Sequence, residues 1–257
     1  MKLYFASVVV LLTFIALSLA ADEARSSPPK TETAGEWIDL FDGKKTDAWR
    51  AWNGERFPEK GWIVEDGCLK CQKGNGRPNG GGGDLVTRAE FTDFELHWEW
   101  KISQGGNSGV KYLLGKRGDQ KGPLYQGDKG LDYYGHEYQL LDDDNHPDAK
   151  KGPIRQSGAF YDVIPPNADK RVHPVGEFNE SRLLIRGNHV EHWLNSVKVV
   201  EYDLGSPEVV AGVEKSKYKG LPGFDIKHKS AILLQDHGNE IWFRNIRIRA
   251  LDAAVAK

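Results

Sequence analysis

The sequence predicts an all-β fold, a jelly-roll-type sandwich of two antiparallel sheets with one short helix. Three observations carry this: an unbroken period-two alternation over Phe94–Ile102, 29 glycines and eight tryptophans in a chain with little helical periodicity, and many short apolar runs punctuated by turn residues.

The Phe94–Ile102 run sets Phe94, Leu96, Trp98, Trp100 and Ile102 on one face and Glu95, His97, Glu99 and Lys101 on the other. That is a half-buried strand, and no helix accounts for it. Trp62–Val64 and Cys68–Cys71 flank Glu65-Asp66-Gly67, whose Asp-Gly pair marks a hairpin. Further strands are expected at Asp84–Arg88, Ser108–Leu114, Glu137–Leu141, Gly158–Val163 and Ala231–His237. Arg182–Arg186, His189–Leu194 and Val197–Tyr202 make a three-strand meander, and Ile241–Arg249 closes the chain. Ser206 as N-cap and Pro207 at the first position predict a helix over Pro207–Lys217. A propeller would need a repeat of roughly 40–50 residues, and none is visible.

Residues 1–20 are set aside from the fold. Lys2 precedes an apolar run ending Ser18-Leu19-Ala20, with the small residues that signal peptidase accepts, so a cleaved leader and export to the periplasm or beyond are expected. An uncleaved anchor is the alternative; after cleavage no membrane association is expected. Residues 21–35 read as a flexible Ser-, Pro- and Thr-rich tether, 36–251 as one domain and 252–257 as a tail. The net charge of −2 and the lack of any basic run argue against nucleic acid as a partner. Cys68 and Cys71 are the only cysteines. On a strand their Cα atoms lie about 10 Å apart, too far for a disulfide, so two ordinary thiols are expected.

In a two-layer sandwich chemistry sits on an outer face or at the rim. Glu137 and Gln139 share one face of their strand, and His136, Tyr138 and Leu140 the other. Glu137 offers a general base, nucleophile or metal ligand, and Gln139 a partner for a sugar hydroxyl. Gln235 and His237 share a face, and a histidine can pass protons near neutrality. Asn107 and Lys111 point one way from the strand after Gly105-Gly106. Asp142, Asp143 and Asp144 form an acidic run that resembles a calcium loop only loosely. Trp37, Trp49, Trp52, Tyr125, Tyr133, Tyr134 and Tyr161 are aromatics near loops, able to stack on sugar rings.

Read together, Trp37–Lys44, the Trp62–Gly67 turn, Gly83–Thr87, Phe94–Leu96, Gly106–Val110, Glu137–Asp142, Gly158–Asp162, Leu234–Gly238 and Trp242–Ile248 resemble the 3-keto-disaccharide hydrolase family, formerly a domain of unknown function and frequent in secreted bacterial proteins. The resemblance covers residues 36–251. It implies a concanavalin-A-like jelly roll and action on glycosides whose C3 hydroxyl has been oxidised to a ketone. Two departures stand out: Leu113 where the family often has Arg, and the insertion Asn75–Asn79.

A C3 ketone acidifies the C2 hydrogen, so a base can remove it, the C1 substituent can leave, and water can add to the enone. In that scheme Glu137 is the base and His237 the acid or a metal ligand. Gln139, Gln235 and Lys111 orient substrate or enolate, with Asn107, Glu99 and Tyr161 as further contacts. A divalent metal, calcium or a transition metal, is a possible cofactor. Two rivals are a non-catalytic carbohydrate-binding module and a retaining glycosidase, which needs two carboxylates about 5–5.5 Å apart. Gln139 stands where a same-strand partner would, leaving Glu99 as a carboxylate from another strand.

Overall fold

The computed structural model describes residues 34–75, 81–116 and 133–251. The expected leader, nearly all of the tether, the insertion after Asn75, Tyr125 and the tail lie outside the described residues. Besides two single-turn 3-10 helices at Ala149–Lys151 and Pro153–Arg155, the described elements are thirteen strands and one α-helix: β1 (Ile38–Phe41), β2 (Trp49–Ala51), β3 (Trp62–Glu65), β4 (Cys68–Cys71), β5 (Leu85–Thr87), β6 (Phe94–Ile102), β7 (Asn107–Lys116), β8 (Tyr133–Leu141), β9 (Asn179–Arg186), β10 (His189–Leu194), β11 (Val197–Asp203), α1 (Pro207–Lys215), β12 (Leu233–Leu234) and β13 (Ile241–Ala250).

The strands form two antiparallel sheets. One has eight strands in the order β11-β10-β9-β6-β13-β4-β3, with β1 also paired to β13; the other has five, β2-β5-β12-β7-β8. Strand β6 runs through the middle of the larger sheet, and Phe94, Leu96, Trp98, Trp100 and Ile102 are all buried in the interlayer core. Facing them from the smaller sheet are Leu85, Val110, Tyr112, Tyr138, Leu140 and Leu234. Buried indoles usually find a hydrogen-bond acceptor, and three here do. Trp49, Trp62 and Trp100 donate to the carbonyls of Leu40 and Gly83 and to Ser181 Oγ. Trp49 is therefore core, not a sugar platform.

The expected hairpin between β3 and β4 forms, with Asp66 (φ 50°) and Gly67 (φ 71°) both left-handed, as a two-residue primed turn requires. Ser206 caps α1 by accepting from Val209 N–H at 3.4 Å. Both cysteines are free and buried on β4, and burial raises both thiol pKa values.

Three expectations need correction. Gly158–Val163 is not a strand: it runs beside β8 with Tyr161 N–H on the Glu137 carbonyl, then turns at Asp162, whose φ is 63°. The Ala231–His237 strand shrinks to Leu233–Leu234, because Gln235 onward leaves the ladder to close the rim. The helix stops two residues early, where Ser216 folds back onto the Val213 carbonyl through its amide and its hydroxyl. Strands β1 and β2, of four and three residues, carry no alternation long enough to show in sequence.

A buried polar bridge ties the two sheets together. Tyr112 and His136 reach from the smaller sheet, and His192 and Tyr202 from the larger. Tyr112 Oη lies 2.6 Å from His192 Nε2 and 2.9 Å from Tyr202 Oη, which is 2.8 Å from His136 Nδ1. The far ring nitrogens donate to the carbonyls of Gly158 and Phe224. Burial holds both imidazoles well below their ordinary range, His136 at about 3 and His192 at about 4.

Candidate active site

The outer face of the five-stranded sheet carries the site. On β8 alternation sends Tyr138 and Leu140 inward and Tyr133, Glu137 and Gln139 outward. The register sets Glu137 opposite Lys111 on β7, and Gln139 opposite Gly109. Lys111 in turn faces Leu233 on β12, so Gln235, two residues on, joins the same face. Glu137, Gln139, Lys111, Asn107 and Gln235 are thus brought together, with His237 beyond Gln235 at the rim.

This face is not open, as period-two reasoning alone suggested. Glu137 is 3% and Gln139 1% exposed. The cover is the segment running beside β8 and the chain after α1, which brings Lys217 over the site. Lys111 Nζ is 3.4 Å and Lys217 Nζ 4.0 Å from Glu137 Oε2. That oxygen accepts no hydrogen bond among the described residues. Oε1 takes one from the Gln139 amide in the orientation that satisfies both of its ends, with the nitrogen 3.1 Å from Oε1 and 3.0 Å from the Ser108 carbonyl. The Gln235 Oε1 is also buried without a hydrogen-bond partner. Such an orphaned acceptor costs stability unless something supplies a donor, which a substrate hydroxyl would do.

Glycine at position 109 permits this arrangement. A Cβ there would lie 2.7 Å from Glu137 Oε1 and 2.9 Å from its Cγ. Gly109→Ala must therefore push the carboxylate aside, and displacement of about 1 Å costs on the order of 100-fold in rate. The expected result is that fall in kcat/KM with the thermal transition little changed; full activity in the variant would detach Glu137 placement from catalysis.

Around the core of the site stand residues that sequence reasoning passed over. Asp84, just before β5, is buried, and its Oδ1 accepts Asp236 N–H at 2.7 Å while Oδ2 accepts the Tyr133 hydroxyl. Burial pushes its carboxyl up to about 6, against the pull of Lys111 and the Tyr133 hydrogen bond. Asp236 Oδ2 accepts the amides of Gly81, Gly82 and Gly83 at 2.7–2.9 Å, gathering the glycine run into a nest on one carboxylate. His146 meets His237 edge to face at 6.2 Å, and burial together with His237 lowers the His146 pKa.

Tyr161 lies near the site, its ring 4.4 Å from Lys217 Nζ, but it is no stacking platform. Its hydroxyl donates to Asp148 at 2.6 Å and accepts from Arg155, and burial raises its pKa. Glu99 is not in the site. It sits on the outer face of the other sheet, gripped by Arg244 at 2.6 and 2.8 Å and by Asn245. Leu113 lies in a bulge of β7 at φ 50° and packs into the core, so it offers substrate nothing. The acidic run is also accounted for by protein donors. Asp142 accepts from the amides of Gly105, Asp144 and Asn145 and from the Asn145 side chain, and Asp143 binds Lys170 and Ser157 N–H. Asp144 is exposed. These are turn-forming carboxylates, and the three do not make a metal cage.

Residues 36–249 match the family described as a 3-keto-alpha-glucoside-1,2-lyase-like domain. The chain belongs to this family. A relative, the 3-keto-disaccharide hydrolase of Bacteroides thetaiotaomicron, is 38% identical over 91% of this chain and 85% of its own. A presumed glycosyl hydrolase from Parabacteroides distasonis, solved as a crystal structure, is 32% identical with a TM-score of 0.69, covering 85% of this chain and 94% of that one. A Bacillus subtilis protein with a galectin-like fold shares the architecture at 13% identity and a TM-score of 0.50, over 86% of this chain and 98% of its own. Family membership makes the chain an enzyme of glycoside-hydrolase type, and the Glu137 face, built from Gly106–Val110, Glu137–Asp142 and Leu234–Gly238, lies within the matched residues.

Proposed function

We propose that the protein is an exported enzyme that cleaves 3-keto-glycosides by removing the C2 proton, eliminating the C1 substituent and hydrating the enone. The observation that carries this is the Glu137 carboxylate held by Gln139, with an unoccupied Oε2 and two ammonium groups within 4.0 Å. A ketone is what makes such a set useful. Glu137 takes the C2 proton, and Lys111 and Lys217 stabilise the negative charge that moves onto the ketone oxygen. Gln235 and Asn107 bind substrate hydroxyls, and His237 is positioned at the rim for proton exchange with water. An ordinary retaining glycosidase is less well served, because the charged contacts of Glu137 are lysines and Glu99 is on the other sheet. A divalent metal on the ketone would serve the same electrophilic role as the lysines.

A cavity of about 460 Å³ opens beside this face, lined by Arg50, Trp52, Glu55, Glu90, Leu114 and Lys229 among others. Trp52 packs at a tilt against Tyr133, ring centroids 4.4 Å apart, which joins the cavity to the site. It leaves room for a leaving group the size of a second sugar. The export reading rests on the leader-like residues 1–20.

Incubation with a 3-keto-disaccharide and its unoxidised parent, with and without chelator, tests the reading. Cleavage of the oxidised sugar alone is the expected result, and the chelator arm reports on a metal. Cleavage of the parent would establish a conventional glycosidase, and binding without turnover a carbohydrate-binding module.

A further inference from the structure

Elimination needs an acid at the departing oxygen, and the structure holds a candidate that periodicity did not reveal. Asp84 is a carboxyl buried at real cost, and it is not needed to order the glycine loop, which Asp236 already holds. Its Oδ2 is spent on Tyr133. Tyr133 stands on the same face of β8 as Glu137, under Lys111, whose Nζ is 5.3 Å from the phenol ring and 3.4 Å from Glu137 Oε2. One ammonium group therefore spans the interval between the base and this phenol, as it must if a single sugar is to touch both.

We infer that Tyr133 delivers the proton to the departing glycosidic oxygen, and that Asp84 behind it replaces that proton; this rests on the 3-keto-glycoside reading above. Glu137 takes the C2 proton, and the C–H electron pair moves to form the enolate. The enolate then restores the C3 ketone, the C1–C2 double bond forms, and the C1–O bond breaks with its pair on oxygen. That oxygen takes the Tyr133 proton, and the Tyr133 oxygen takes the proton of Asp84. Water addition runs the same path in reverse. Its hydroxyl joins C1, its remaining proton returns through Tyr133 to Asp84, and Glu137 gives its proton back to C2. Both carboxyls end as they began.

Asp84 must start protonated on Oδ2, so that the contact with Tyr133 runs in the reverse sense from that of the ionised carboxylate, Asp84 donating to the phenol and the phenol to the glycosidic oxygen. The ionisable groups packed against it are Lys111 from β7, Tyr133 from β8, Asp236 beyond β12 and, on β4, the Cys71 thiol, which burial keeps neutral. Burial outweighs the lysine and raises its pKa to about 6, which keeps the acid form accessible near neutrality. Activity on alkoxide leaving groups should accordingly decline as pH rises through the Asp84 pKa.

The test uses leaving groups of different acidity. A 3-keto-disaccharide releases an alkoxide that needs a proton, whereas a nitrophenyl 3-keto-glucoside releases a stable phenolate that does not. Asp84→Asn preserves shape and the acceptor for Asp236 N–H, and Tyr133→Phe keeps the ring on Trp52; both are expected to lose about 100-fold or more in kcat on the disaccharide. On the nitrophenyl substrate their single-turnover release of nitrophenolate, which precedes hydration of the shared enone, should stay near wild type, and the decline of wild-type release through the Asp84 pKa should vanish. Equal losses on both substrates, or no loss on the disaccharide, overturn the assignment. So does His237→Asn showing the leaving-group dependence in place of the other two. A wild-type chain inactive on both oxidised substrates removes the functional reading itself, and the assignment with it.

Discussion

Glu137→Gln is expected to lower kcat on a 3-keto-glycoside by at least about 1,000-fold, within the range that a positioned general base contributes. The amide has nearly the shape of the carboxylate and can still meet Gln139, but it cannot hold the C2 proton. A second effect works the same way. Lys111, nearly buried, and Lys217 lose their shared counter-ion, and breaking a buried pair costs about 3–5 kcal/mol when the remaining charge has no other compensation. Here two lysines divide the loss and both retain cation–π contacts, Lys111 with Tyr133 and Lys217 with Tyr161 and Tyr218. The variant is therefore expected to fold with a lowered midpoint. Exchange of the C2 hydrogen with deuterated solvent separates chemistry from stability: wild type exchanges it during turnover, whereas folded Glu137→Gln does not. Exchange at the wild-type rate would remove Glu137 as the base.

The fold and half of the site could be read from the residues because both depend on local alternation. The nine residues of β6 state their own buried face. Glu137 with Gln139, and Gln235 with His237, state theirs, and the Asp66-Gly67 turn fixes a hairpin. Alternation gives parity within a strand and nothing more. It cannot say which sheet a strand joins, and that is why Glu99, of the right chemistry, lies on the wrong layer. Nor can it reveal pairs made by tertiary contact. Asp84 and Tyr133 lie 49 residues apart, and Lys217 arrives over Glu137 only because α1 ends where it does. The burial of the site was illegible for the same reason: the cover is non-strand chain, whose path is set by turns such as that at Asp162.

The interlayer bridge of His136, Tyr202, Tyr112 and His192 should make the protein acid-sensitive, with the steepest change below pH 5. In the unfolded chain both histidines protonate near pH 6.5, whereas in the folded chain they remain neutral down to about 3 and about 4. Between these values the unfolded state binds more protons, so stability falls as pH falls, by up to about 1.4 kcal/mol per pH unit for each histidine. Asp84 acts in the opposite sense. Its folded pKa of about 6 lies above the ordinary aspartate value of 3.8, so acidification through that window favours the folded state and offsets roughly one histidine. Below pH 4.5 Glu95 adds to the loss: despite burial, hydrogen bonds from His97, Arg249 and Arg182 hold its pKa at about 2. The net expectation is a decline of about 1–2 kcal/mol per pH unit from pH 6 to 4, steepening below that and large against the 5–15 kcal/mol of a typical domain. Urea midpoints measured from pH 7.5 to 4 check it. Asp84→Asn should steepen the slope by removing the offset, and replacing both histidines by uncharged residues should flatten it. A midpoint that stays constant from pH 7 to 4 in the wild type would mean that the two imidazoles are already protonated in the folded bridge.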